Sequence, residues 1–335
     1  MKPPAERLLW MYETMLLIRR YEETLAQVYL EGKLPPDIQA GLAFDIASGP
    51  VPGEMHLAAG QEPVAVGVCA HLGPEDTVVG THRPHHFAIA KGVPLDRMTA
   101  EIFGKVTGLC RGKGGHMHLF DPEHRFSCSG IVGASLPPAC GAALANKMRG
   151  SQAVAVAFFG EGAANQGTFH EALNLASLWR LPAVFVCEDN GWAISVAKQK
   201  ATAVRSNAAR AAAYGMEGVR VDDNDPIAVF EAAGAAVRRA REGGGPTLLE
   251  VKTDRWFGHF QGDPEVYRPK TEVPQLRKND PIQALRGLLR RRGILDDAKD
   301  AALQEAAAAR VDAAIEFARA SDSPSPDEAL QHVFA

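Results

Sequence analysis

The chain has 335 residues, 46% of them hydrophobic and 23% charged, so it carries enough apolar material for a sizeable buried core. A formal net charge of −4 gives no basic excess, which counts against nucleic acid or a membrane surface as a general partner. Five scattered cysteines without a CxxC pair fit reduced thiols and a cytoplasmic setting better than a disulfide framework.

In chain order, residues 5–31 carry apolar positions at helical spacing and predict a long first helix. Glu13 and the charges that follow it argue against a signal peptide, and no run approaches the ~18 apolar residues of a membrane span. Residues 32–54 are rich in Pro and Gly and read as a long surface loop or arm. Four short β-rich runs follow: TVVG (77–80), AVAVAFF (153–159), AVFVCED (183–189) and TLLEVKT (247–253). Between them lie the helical patterns PLDRMTAEIFGKV, LPPACGAALANKM, NQGTFHEALNLASLWR and PIAVFEAAGAAVRRARE. This alternation predicts an α/β fold, a parallel sheet flanked by helices, with helical N- and C-terminal extensions. The expected organisation is one domain over residues 1–335: helix 5–31, loop 32–54, α/β core 55–260 and helical tail 275–335.

Ligands of parallel α/β sheets gather outside the carboxyl ends of the strands. The polar clusters GTHRPHH, GEGAAN, EDNGW and DRWFGHFQGD each follow one of the four predicted strands. Within FFGEGAANQG (158–167), a strand leads through a glycine-rich turn into a helix, a phosphate-cradling pattern, yet Glu161 places a carboxylate between two glycines. A dinucleotide fingerprint is one reading, with Gly160 and Gly162 in the turn and Glu188 as ribose acceptor. Against it, the third glycine position is Asn165 and Glu161 would repel a phosphate. The other reading makes Glu161 a ligand for Mg²⁺, which then bridges to a diphosphate. Magnesium takes about six hard oxygens, and Asp189, Asn190 and the carbonyls of NGW at the next strand end offer more. His82, His85, His86, His116 and His118 also invite a zinc reading, which needs a convergence in space that spacing alone does not give.

The stretch GEGAANQGTFHEALNLASLWRLPAVFVCEDNGW resembles the alpha subunit of the decarboxylating component of 2-oxo acid dehydrogenase complexes, of the pyruvate and acetoin type. GEMHLAAGQEPVAVG, GTHRPHHFAIAKG, RGKGGHMHLF, GIVGA and RWFGHFQGDP occur in the same order as in that family, so the resemblance runs from about residue 8 to the C-terminus. It implies thiamin diphosphate and Mg²⁺ as cofactors. Glu161 and Asn190 would give the metal side-chain oxygens and Trp192 a backbone carbonyl. Gly160, Gly162 and Ala163 would lie at the diphosphate, Arg83 would pair with its oxygens, and His82 stands where the family often has an aromatic hydroxyl. Gly130 and Val132 would present backbone to the aminopyrimidine. His85 and His259 are the implied carriers of protons, His56 a residue of the pocket wall, and Arg255 a residue that orders the His259 loop or meets the phosphate.

The resemblance further implies cleavage of a 2-oxo acid or acetoin, leaving an enamine whose acyl group passes to a lipoyl acyltransferase. A separate beta subunit would activate the pyrimidine, in an α₂β₂ heterotetramer. The sequence departs from the family pattern at Glu161, where Asp is usual, and at Asp189, where Asn is usual. His116 replaces a small residue, and Phe260 stands where regulated pyruvate enzymes carry a phosphorylatable serine. GHFQGDPEVYR is closer to the acetoin-type spelling. A catalytically silent scaffold and an NAD-dependent oxidoreductase are the alternative readings.

Overall fold

The computed structural model describes residues 3–33 and 45–332; residues 34–44, the middle of the predicted 32–54 loop, lie outside the described residues. The chain opens with α1 (Ala5–Leu30) and α2 (Glu62–Cys69), followed by β1 (Thr77–Gly80), α3 (His85–Lys91) and α4 (Leu95–Ile102). Next come β2 (Phe120–Asp121), β3 (Phe126–Cys128), α5 (Leu136–Met148), β4 (Ala155–Gly160), α6 (Gly167–Leu178) and β5 (Ala183–Asp189). A small hairpin, β6 (Trp192–Ala193) and β7 (Val196–Ala197), precedes α7 (Lys198–Ala201), β8 (Glu217–Val221), α8 (Pro226–Arg241) and β9 (Thr247–Lys252). The tail holds α9 (Glu272–Leu276), α10 (Pro281–Arg291) and α11 (Asp297–Ala320).

Seven strands form one sheet in the order β2-β3-β1-β4-β5-β9-β8. The four strands read from the sequence, β1, β4, β5 and β9, are adjacent and parallel, so their carboxyl ends share one rim. The expectation of a wholly parallel sheet is corrected at one edge. There β2 pairs antiparallel with β3. Only residues 122–125 join the two, far too few for the crossover that a parallel pair requires. Strand β8 was not foreseen: its sequence EGVRV is mostly exposed, as an edge strand allows, and lacks the apolar run of its neighbours.

Side chains of the central strands alternate between two cores. Val156, Phe158, Val184, Val186, Leu249 and Val251 join α1, α2, α3, α8, α10 and α11 on one face. Ala155, Ala157, Phe159, Phe185, Cys187 and Leu248 meet α5 and α6 on the other. Strands buried on both faces read as continuous apolar runs, which is why AVAVAFF and AVFVCED were legible. Helix starts are set locally: Asp225 and Asp280 each accept a bond from the N–H two residues on, with proline at the first helical position of α8 and α10.

Candidate active site

A cavity of about 380 Å³ sits over the carboxyl ends of β1, β4 and β5 and is closed by the loop after β9. Its floor begins where β4 ends. Gly160 faces open space, so no side chain intrudes there, and an added Cβ on Gly162 would stand 2.5 Å from Ala193 Cβ. The second glycine is therefore required for the β4 turn to pack against the β6–β7 hairpin. Between them, Glu161 is 2% exposed, and its Oε1 has no hydrogen-bond partner among the described residues. Burial, reinforced by the nearby Asp189 carboxylate, pushes its pKa up to about 7, although N–H groups of Glu161 and Asn190 hold the charged form. A buried carboxylate oxygen with no donor is costly, and it marks a place where a cation from outside the chain fits.

The turn after β5 supplies the facing group. Gly191 takes φ +83°, a left-handed conformation suited to glycine, and Lys198 N–H donates to its carbonyl at 2.9 Å. Asn190 reaches the cavity wall; its Nδ2 donates to Gln61 Oε1 at 2.8 Å, and Trp192 N–H donates to its Oδ1 at 3.1 Å. The Trp192 indole N–H is held by Glu272 at 2.9 Å. Asp189 does not do what its position in the sequence suggested. Its carboxylate turns away from the cavity and pairs with Lys198, whose ammonium also donates to Glu250 at 2.6 Å. The second acid beside Glu161 is thus neutralised from behind and is not placed as a metal ligand.

The opposite wall is made of imidazoles and guanidinium groups. Rings of His56, His82 and His259 lie 4.6–5.3 Å apart, centre to centre. Burial, with Arg83 and Arg255 nearby, pushes His259 down to about 4, and burial pushes His56 and His82 down as well, so all three are neutral at pH 7. Arg83 is fixed by the Leu57 carbonyl and by the His259 carbonyl at 3.0 Å. Burial and Arg255 lower it to about 9, still cationic. Arg255 donates to Tyr267 Oη at 2.8 Å while its Nε has no partner among the described residues. The loop bearing His259 folds on Asp263, which accepts from His259 N–H at 2.7 Å and from Tyr267 at 2.6 Å.

Of the residues singled out from the sequence, His56, His82, Arg83, Gly130, Val132, Gly160, Glu161, Gly162, Ala163, Asn190, Trp192, Arg255 and His259 all border this one cavity. His85 does not. It starts α3 and is fully buried; its Nδ1 lies 3.2 Å from Glu22 of α1, and its Nε2 has no partner among the described residues. Glu188, the ribose acceptor of the dinucleotide reading, accepts a bond from His86 Nε2 at 2.7 Å. The five-histidine zinc cluster does not assemble; among the described residues the one group of three histidines whose ligand atoms all lie within 4.8 Å of one another is His56, His82 and His259. Gln61 and Lys198 were missed. Gln61 stands in the quoted GQE motif, but nothing local says that it would reach across to β5.

The dehydrogenase E1 component family model matches residues 42–327. The alpha subunit of acetoin:2,6-dichlorophenolindophenol oxidoreductase from Bacillus subtilis is 45% identical over 331 residues, 98% of this chain and 94% of the relative. Its counterpart from Cupriavidus necator is 44% identical over 93% of this chain and 95% of the relative. The chloroplastic pyruvate dehydrogenase E1 component subunit alpha-3 of Arabidopsis thaliana is 40% identical over 97% of this chain and 74% of the relative. The matches span the whole α/β core and the strand-end turns that build the cavity, and on that ground the chain belongs to the dehydrogenase E1 component family, as a thiamin diphosphate-dependent alpha subunit of the pyruvate and acetoin dehydrogenase type.

Proposed function

We propose that this chain is the alpha subunit of an acetoin-cleaving enzyme that needs thiamin diphosphate, Mg²⁺ and a beta subunit. The observation that carries the reading is the buried Glu161 oxygen, without a partner among the described residues, opposite Asn190 at adjacent strand ends, a donor set of hard oxygens suited to Mg²⁺. Glu161, the Asn190 amide and the Trp192 carbonyl would hold the metal. Arg83 and Arg255 give the diphosphate end its positive field, and the open face of Gly160 leaves room for it. Gly130 and Val132 would flank the ring.

When bound, the cofactor supplies a nucleophilic carbon that adds to a carbonyl. The chain's own part is to hold the substrate in a dry pocket and manage a proton at its carbonyl oxygen. His56 and His259, both neutral and facing the cavity, are the groups for that task. Ile131 and Val132, 71% and 50% exposed on the cavity lip, favour completion of the site by another chain in an α₂β₂ assembly. Acetoin is favoured over pyruvate by the two relatives at 45% and 44% identity, both named for acetoin. The acyl group would pass to a lipoyl acyltransferase.

Coexpression with the beta subunit, followed by assays on acetoin and on pyruvate with a reducible dye, tests this. Dye reduction with acetoin should require both subunits, thiamin diphosphate and Mg²⁺. Turnover of pyruvate alone would move the substrate assignment, and a complex that binds cofactor yet turns over neither would favour a silent scaffold.

A further inference from the structure

His116 lies on the short turn Gly115–Met117, is 5% exposed, and does not border the cavity. Its Nε2 nevertheless stands 2.9 Å from Nδ1 of His56, which does border it, and the two rings stack at 26°. Burial drives both imidazoles well toward the neutral form. Between two neutral imidazoles a bond of this length holds a single proton, so one ring must donate and the other accept. The choice fixes the tautomer of His56 and with it the character of the nitrogen that faces the cavity. The carboxylate of Glu54, on the cavity rim, lies 3.8 Å from His56 Nε2 and favours a proton on that nitrogen.

We propose that His116 is a positioning residue: its Nε2–H donates to His56 Nδ1 and thereby holds His56 as a hydrogen-bond donor, through Nε2–H, toward the substrate carbonyl oxygen. The part played by His56 rests on the functional reading above; the tautomer does not. With the donor gone, His56 is free to carry its proton on Nδ1 and to present a lone pair to an oxygen that also carries lone pairs. Binding of cofactor and metal, made at the far wall by Glu161 and Asn190, is untouched.

The test uses the reconstituted complex with its beta subunit. His116→Leu removes the donor and should lower kcat at least about tenfold with KM and cofactor affinity little changed. His116→Gln, which carries an N–H at similar reach, should restore most of the loss. Because His116 acts through His56, the double variant His56→Gln with His116→Leu should be no slower than His56→Gln alone. A neutron crystal structure of the wild-type complex gives a readout that does not depend on turnover. Deuterium on His116 Nε2 and on His56 Nε2 supports the proposal, and deuterium on His56 Nδ1 overturns it. Equal losses in the Leu and Gln variants, or additive losses in the double variant, overturn it also. If His116→Leu fails to assemble, the neutron result decides. A wild-type complex that turns over neither acetoin nor pyruvate would sink the functional reading and leave the tautomer question to that same result.

Discussion

Two buried polar regions of this molecule look alike in composition and differ in how their charges are met. In the helical layer, Arg19 of α1 donates to Glu62 at 2.5 Å and to both oxygens of Asp280, with its guanidinium 3.8 Å from the centre of the Trp256 ring. Nearby, Asp300 of α11 accepts from Tyr12 at 2.7 Å and from Arg286 and Arg290. Burial opposes charge there too, but close partners outweigh it: Arg19 is pushed up and the Asp300 carboxyl is held below the usual range. At the cavity the same burial is not offset. Glu161 rises to about 7, His259 falls to about 4, and Glu161 Oε1, His82 Nε2 and Arg255 Nε find no partner among the described residues. A structural network brings its own counter-charges. A binding site leaves some of them to be supplied from outside.

That distinction predicts opposite signs for two carboxylate deletions. Glu161→Ala should abolish binding of thiamin diphosphate with Mg²⁺, exceeding the about 10–100-fold loss typical when a mere supporter of a metal ligand is removed. Yet the metal-free variant should be at least as stable as wild type at pH 8, because an uncompensated buried carboxylate has gone. Glu161→Asp should retain binding. Calorimetric titration and urea melts on the same preparations read both effects. Unimpaired cofactor binding by the alanine variant would end the metal-ligand role, whatever its stability.

In the helical layer the order reverses. Asp300→Ala strands the buried Tyr12 hydroxyl and removes the anion shared by the partly exposed Arg286 and Arg290, a loss of ~2 kcal/mol, most of it from the hydroxyl left without a partner. Cofactor affinity should not change. The pH dependence follows from the depressed carboxyl: its stabilisation is fully present above the unfolded value of about 4 and is lost as pH falls toward the lower folded value. The gap between wild type and Asp300→Ala should therefore narrow in urea melts below pH 4. A gap that stays constant with pH would mean the ion pairs contribute little and packing carries the difference.

Legibility followed the same divide. Helix α1 was read as 5–31 and runs Ala5–Leu30, and the four central strands were found, because burial on one or both faces writes a periodic or continuous apolar pattern. Edge strand β8, mostly exposed, wrote none. The cavity residues were readable where a strand end and a glycine-rich turn coincide, as at Glu161 and Asn190. Local spelling failed where the third dimension decides. His85 sits two residues beyond Arg83, but at the start of α3 it points to Glu22, not to the cavity. Asp189 looked like an oxygen donor until Lys198, nine residues on, was seen to take it. His116 had no account at all, since its partner is sixty residues away in sequence.

Gln61 is the finest probe of the comparison, because it belongs to both regions. It stands just before α2 beside Glu62, the partner of Arg19, and its side-chain oxygen accepts from Asn190 Nδ2 at 2.8 Å. Its own Nε2 has no partner among the described residues, so the side chain is only half satisfied. Gln61→Leu removes one polar atom that was already unmet and one that accepts from the half-buried Asn190, and should lower stability by only about 1 kcal/mol. Its effect should fall on the Asn190 amide, which the Gln61 oxygen holds at Nδ2 while Trp192 N–H holds it at Oδ1. With its Nδ2 partner gone the amide is held from one side only and is placed less firmly, so Mg²⁺ affinity should drop about tenfold, the low end for a lost partner of a metal ligand. Titration of Mg²⁺ against the complex at saturating thiamin diphosphate measures this. Unchanged affinity with a large loss of stability would place Gln61 with the helical layer, and would show that Asn190 is held by its own turn alone.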